Sequence, residues 1–181
     1  MNINNLNGID IVIVSTVPFF LVNQLSSHIY NLKEKGMRIT LVTSAGEEMK
    51  EFIDDDSIQV ITIEIARKIH PWADLKAIFL LLKLFAKQKF TVMHSTTPKA
   101  GLLCAIAAKL TFIPVRLHTF TGQVWVTKVG FMKCVLQFLD KIIINLNTHC
   151  YVDSPSQLDF LIEAGITKNN AVSTYGQGSL A

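Results

Sequence analysis

Paired cysteines are the first thing this 181-residue chain lacks. Its three cysteines, Cys104, Cys134 and Cys150, stand far apart with no Cys-x-x-Cys spacing. That excludes a disulfide framework and the common zinc sites, and makes a reducing cytoplasm the expected setting. Charge is sparse too. Only 17% of residues are charged and the formal net charge is +3, without the concentrated basic face that nucleic acid demands. No apolar run reaches the ~20 residues of a membrane span; the nearest, residues 78–85, is short and holds Lys83. The apolar stretch 9–22 follows an uncharged polar start and is interrupted by Asp10 and Pro18, so it reads as part of the fold rather than a secretory leader. Glycine is missing where dinucleotide chemistry would need it. The turn after the first apolar run is Ser15-Thr16-Val17-Pro18-Phe19-Phe20, without G-x-G-x-x-G, and no Walker loop occurs. Asp54, Asp55 and Asp56 precede a strand rather than follow one, which suits a solvated turn better than a phosphoacceptor.

What is present is a regular alternation. Half of the residues are hydrophobic, enough for one well-buried domain. Compact β-rich runs at 9–15, 38–43, 59–63, 91–94, 115–118, 149–152 and 172–175 are separated by helical patterns at 19–35, 47–53, 74–89, 99–110, 128–146 and 155–164. Nearly continuous apolar strands in strand–helix–strand order predict an α/β, doubly wound, Rossmann-like and mostly parallel sheet of about seven strands, covered on both faces. Residues 1–175 read as that one domain. The run Gly176-Gln177-Gly178-Ser179 is either a frayed tail or the start of a hinge.

Ligands of such sheets sit beyond the carboxyl ends of the strands, where strand order reverses. Four loops are therefore the candidates. The first holds Thr16, Pro18, Phe19 and Phe20. The second, His94-Ser95-Thr96-Thr97-Pro98-Lys99-Ala100-Gly101, matches helix capping by Thr97 and Pro98. Capping leaves His94 and Lys99 unexplained, because a helix dipole disfavours a cation in the first turn. An anionic ligand or a sugar at His94, Ser95, Thr97 and Lys99 would remove the conflict. The third loop gathers His118, Thr119, Phe120, Thr121, Gly122, Gln123 and Trp125: an imidazole, hydroxyls, an amide and aromatics around one glycine. In the fourth, Ser154 and Gln157 suit a helix cap as well as a ligand.

Two helices raise the question of a membrane surface. The helix at 74–89 places Leu75, Ile78, Phe79, Leu82 and Phe85 on one stripe, with Leu80, Leu81 and Leu84 off it beside Lys76, Lys83 and Lys87. Such a helix can lie in a membrane interface. The helix at 128–146, with Met132, Val135, Leu136, Leu139, Ile142, Ile143 and Leu146 in line, reads as buried.

The runs 94–101, 114–123 (PVRLHTFTGQ), 153–157 and 176–179 resemble the N-terminal domain of glycosyltransferase family 4, particularly bacterial enzymes that build polysaccharide or lipid-linked oligosaccharide. The resemblance covers nearly the whole chain, and HTFTGQ is its most specific part. It implies the GT-B architecture of two Rossmann-like domains facing across a cleft, with no metal or other cofactor and retention at the anomeric carbon. It further implies that this domain binds a lipid-linked saccharide acceptor, while a C-terminal domain binds most of the nucleotide-sugar donor. His118 matches a histidine that reaches the transferred sugar, and the loop with Thr16 matches one that approaches donor phosphates and acceptor. Where relatives often carry a second histidine two residues after the first, this chain has Thr96. On that pattern residues 176–181 begin the interdomain hinge, the donor domain lies beyond them, and the 181-residue chain alone is inactive. The expected setting is cytoplasmic, peripheral at the inner face of the cell membrane. The alternatives are a non-catalytic acceptor- or membrane-binding subunit of a split enzyme, and one half of a sugar-nucleotide 2-epimerase.

Overall fold

A computed structural model describes residues 6–66, 70–168 and 170–175; the glycine-rich run at 176–179 lies outside the described residues. The strands are β1 (Asp10–Val14), β2 (Arg38–Thr43), β3 (Ile58–Thr62), β4 (Val92–Thr96), β5 (Val115–Phe120), β6 (His149–Val152) and β7 (Val172–Thr174). They form a single sheet in the order β3-β2-β1-β4-β5-β6-β7. Every pairing is parallel, as the apolar strands require. The helices are α1 (Pro18–Gln24), α2 (Ser26–Glu34), α3 (Lys50–Ile53), α4 (Pro71–Gln88), α5 (Pro98–Leu110), α6 (Gly130–Leu146) and α7 (Pro155–Glu163), with short 3-10 turns at Glu47–Met49 and Val124–Thr127.

The connections divide the helices between the two faces. One core joins Leu21, Leu25, Ile29 and Phe52 of the first three helices to Ile13, Ile39 and Leu41. On the other face Ala77, Leu81 and Phe85 of α4 meet Leu103, Cys104 and Ala107 of α5 over Val12, Val14 and Met93. A third cluster closes α6 and α7 over Phe120, Cys150 and Val152. The expectation of cover on both faces holds only in part. Among the described residues α1–α3 pack on the β1–β3 half, and beside them His149, Tyr151, Ser173 and Tyr175 remain half-buried on an uncovered half-face.

Three local readings change. The helix expected at 19–35 is two helices that meet at Leu25. Asn23 Nδ2 donates to the Phe19 carbonyl, and the weak helix formers Ser26 and Ser27 follow, while Leu25 is buried in the core. In α4 the inward stripe is Ala77–Leu81–Phe85, and Leu75 and Phe79 point outward. Ala77 counts little in a hydrophobic pattern, yet its small size lets α4 approach α5 closely. In α6 the inward residues are Asp140, Ile143 and Ile144, whereas Phe131, Met132 and Phe138 are exposed, so the helix is not simply buried.

The middle helix of this layer, α5, is flanked by α4 and α6, and its buried residues are small: Ala100, Gly101, Cys104, Ala105, Ala107 and Ala108, with Leu103 among them. Gly101 lies against the ring of His118, and a Cβ there would overlap the imidazole. Glycine normally costs a helix about 1 kcal/mol relative to alanine. Here the overlap reverses the sign, since overpacking a rigid core costs about 1–3 kcal/mol. Gly101→Ala is expected to lower the unfolding free energy by about that amount in urea titration; a stabilised variant would show that the His118 ring is free to move aside.

Candidate functional site

Strand order reverses between β1 and β4, which pair with each other while their following helices leave on opposite faces. Ligands of such sheets sit at the seam this leaves between the carboxyl ends of the strands. Thr16, just after β1, and Thr97, just after β4, meet across it. The Thr16 hydroxyl donates to Thr97 Oγ1 at 3.1 Å, and the Thr16 N–H lies 3.4 Å from the same oxygen. Thr97 stands at the N-cap position of α5, with Pro98 next, yet makes no side-chain cap. Its hydroxyl is turned to Thr16, and its backbone has φ +70° and ψ 138°, a conformation costing a β-branched residue about 1–3 kcal/mol. The capping expectation for Thr97 is thus corrected, and strain is found where the fold opens. Pro18 is buried, Phe20 is half-buried and Phe19 is mostly exposed.

Lys99 does not need a ligand to offset the helix dipole. Its Nζ lies 2.6 Å from Asp74 Oδ1 in the first turn of α4, and both side chains are largely buried. The neighbouring helix supplies the anion.

The two histidines do not converge. Side chains alternate along a strand, so His94 and His118, on paired strands, project to opposite faces of the sheet. His94 Nε2 is 2.8 Å from Thr119 Oγ1, and its ring meets that of His28 edge-on at 6.2 Å. His118 Nδ1 is 3.0 Å from Ser95 Oγ; its ring lies under α5 and packs edge-on against Phe120 at 4.5 Å. Both rings are buried, as are Ser95, Thr119 and Phe120. Burial holds both histidines neutral, pushing each down to about 3, with His28 adding to the shift of His94 and His94 to that of His118. The His118 ring therefore belongs to β5 and is enclosed beneath α5 rather than exposed in the loop. His118 Nε2 has no hydrogen-bond partner. Trp125 is enclosed as well: its indole is buried, donates to Asp140 Oδ2 at 2.8 Å and stacks on Phe160 at 5.1 Å. Desolvation raises the Asp140 carboxyl to about 6 against the opposing effect of the indole N–H.

The part of HTFTGQ that reaches the surface is its end: Thr121, Gly122 and Gln123. Gly122, at φ +130°, makes the turn a side chain would resist. Gln123 Oε1 accepts from Gln157 Nε2 at 3.2 Å, which also lies 3.3 Å from the Phe120 carbonyl, while Gln123 Nε2 is enclosed without an acceptor. Gln157 Oε1 accepts from the Asp153 N–H and Ser154 Oγ from the Gln157 N–H, so this pair caps α7 and ties the β5 and β6 loops together. Asp153, of the fourth loop, and Tyr175, which the sequence reading did not single out, also stand at strand ends, Tyr175 beside Thr119 Oγ1 at 3.5 Å and tilted against Tyr151 at 4.3 Å. Their place after β6 and β7 was the available signal.

Residues 23–174 match the glycosyl transferase 4-like domain family. The chain belongs to that family. The glycosyltransferase 4-like domain is 34% identical over 148 residues to the capsular polysaccharide biosynthesis glycosyltransferase CapM of Staphylococcus aureus, covering 82% of this chain and 38% of that protein. It is 29% identical over 103 residues to the Escherichia coli UDP-Gal:alpha-D-GlcNAc-diphosphoundecaprenol alpha-1,3-galactosyltransferase, covering 56% of this chain and 27% of that one. The chain therefore spans well under half the length of these curated relatives. Among solved structures, MurG of Acinetobacter baumannii superposes with a TM-score of 0.63 at 14% identity, over 94% of this chain and 45% of that one. A UDP-N-acetylglucosamine 2-epimerase gives 0.65 at 13%, over 93% and 48%. At such identities these neighbours establish the shared fold alone.

The buried titratable groups give the domain a defined response to acid. The folded-state values of His94 and His118 lie below the ordinary imidazole value of 6.5, so the unfolded chain takes up protons first and stability falls as pH drops through that value. Each fully buried histidine contributes up to about 1.4 kcal/mol per pH unit. Asp140, raised from 3.8, acts in the opposite sense and adds stability as pH falls through about 6. The urea midpoint is expected to decline from pH 7 towards pH 5, starting near 6.5. Asp140→Asn keeps an acceptor for Trp125 and should make the decline below pH 6 steeper; a midpoint flat across this range would contradict the neutral buried histidines.

Proposed function

We propose that this domain forms the acceptor-side wall of a retaining, metal-independent glycosyltransferase that moves a sugar from a UDP-sugar to a lipid-linked or polysaccharide acceptor. The observation that carries the reading is the strained Thr97, held against Thr16 at the strand-order reversal of a family-4-like domain. The other strand-end loops add an exposed aromatic, Phe19, and the enclosed amide donor of Gln123, which has no acceptor. Aromatic faces and amide or hydroxyl donors are what a saccharide binds. The names of the two curated relatives, one a capsular polysaccharide enzyme and one acting on a diphosphoundecaprenol-linked sugar, support the acceptor class.

In this reading Phe19, Phe20, Thr121 and Gln123 touch the saccharide, and the Thr16–Thr97 pair lies closest to the pyrophosphate link. His118 and Ser95 act as positioning residues: they fix α5 against β5 and so set the height of Thr97 above the strand ends. Ser154 and Gln157 hold the Gln123 loop. Most of the nucleotide is bound by a separate donor domain, so the 181-residue chain alone binds UDP-sugars weakly and transfers nothing.

Titration of the chain with undecaprenyl-diphosphate-linked N-acetylglucosamine in detergent micelles tests the assignment. Phe19→Ala and Gln123→Ala are each expected to weaken binding about three- to tenfold, as for one lost contact of about 0.5–1.5 kcal/mol, with the thermal midpoint little changed. Wild-type affinity in both variants would remove the seam as the acceptor site. Sugar transfer from a UDP-sugar panel by the chain alone would overturn the division of labour between domains.

A further inference from the structure

In a parallel sheet the segments that lead into the strands all lie on one edge, opposite the strand-end loops. Here that amino edge carries two exposed features that the isolated domain does not use. The first is an open groove of about 560 Å³ between the ends of α4 and α5, lined by Phe85, Phe90, Leu110, Phe112 and Pro114. Phe112 is 88% exposed and Leu110 60%, and neither belongs to any of the three apolar cores. Phe112 sits at φ +58° just past the end of α5, a position that ordinarily goes to glycine. Backbone geometry and exposure thus both disfavour a phenylalanine there in a solitary domain. Lys89, itself at φ +50°, lines the groove, and Lys87 and Lys109 stand exposed in the last turns of α4 and α5. The second feature is the turn from α3 into β3. Ile53 is 60% exposed there, outside the cores, and the exposed carboxylates of Asp54 and Asp56 follow it. Lys33 and Ser57 engage Asp55, but among the described residues none of Asp54, Asp56, Lys87, Lys89 and Lys109 is ion-paired.

We infer that this edge is the interface of a two-fold dimer, in which the Ile53–Asp56 turn of each copy seats in the Phe112 groove of the other. The strand order β3-β2-β1-β4-β5 sets the two features at opposite ends of the edge, four strand spacings or ~19 Å apart. A two-fold axis midway between them exchanges the two, so a single axis makes the contact twice. Each contact joins an exposed apolar side chain to an apolar groove and carboxylates to lysines, and the chain supplies both halves of the match. Groove against groove would set lysine against lysine, and turn against turn aspartate against aspartate. Like charge therefore disfavours the other symmetric pairings. The strand-end loops lie on the far edge and stay open in both copies.

Sedimentation velocity of the chain over a concentration series provides the measurement. A monomer–dimer equilibrium is expected, weakened by high salt, in which Phe112→Ser raises the dissociation constant about tenfold or more. Phe112 lies outside the cores, so this variant should keep the wild-type thermal midpoint at concentrations where both are monomeric. Lys89→Glu with Lys109→Glu should abolish the dimer, and so should Asp54→Lys with Asp56→Lys. An equimolar mixture of these two double variants should restore it, because each then meets the opposite charge at both contacts. A chain that stays monomeric at about 100 μM, a dimer indifferent to these substitutions, or a mixture that fails to associate would overturn the proposal. So would species that grow beyond two copies with concentration, which a closed two-fold contact forbids.

Discussion

The reversal of strand order between β1 and β4 is the constraint on which the rest of this domain depends. The connections carry the chain away from that seam to opposite faces, so no helix covers the carboxyl ends of its two strands. The backbone there must be satisfied by loops, and the loops are short. Thr97 carries the consequence: it follows β4, precedes Pro98, and is held at positive φ with its hydroxyl on Thr16. The strain is sustained because β4, α5 and the residues beneath them over-determine its position.

The same arrangement explains why α5 is built from small residues. It lies between two long helices and against β4 and β5, so Ala100, Gly101, Cys104 and Ala107 bring backbone close to backbone. The His118 ring fills the room left by the missing Cβ of Gly101, with Ser95 holding its Nδ1. His94 does a similar service on the other face with Thr119. Both histidines are accordingly buried framework beneath the strand-end loops. With α5 enclosed, the outer surface of the layer falls to α4 and α6. Their exposed aromatic residues lie ahead of Lys83, Lys87 and Lys141 along the two helices.

Much of the fold was legible in the chain because it depends on local pattern. Continuous apolar strands, alternating with helical stretches of sufficient length, determine a parallel α/β sheet. The absence of a glycine fingerprint after β1 removes the dinucleotide class, and the HTFTGQ run points to the family that residues 23–174 match. Strand ends, and hence the loops that carry the candidate site, follow from the same pattern.

Which side chains in those loops face outward was a tertiary decision. HTFTGQ looks like a site along its whole length, but its first three residues belong to β5 and are buried; only the turn at Thr121–Gly122–Gln123 is available. Lys99 looked like a cation awaiting a ligand until α4 placed Asp74 beside it, 25 residues earlier in the chain. Trp125 and Asp140 satisfy each other across α6 in the same way. Such pairings are non-local, and neither partner alone announces the other. The inward face of α4 does not follow its strongest hydrophobic stripe, because Ala77, a small residue with little hydrophobic weight, sets the contact with α5. The sequence by itself determined the periods of its elements and the chemistry at their ends; only packing, which is blind to chain distance, determined which of those groups are enclosed and which can meet a ligand.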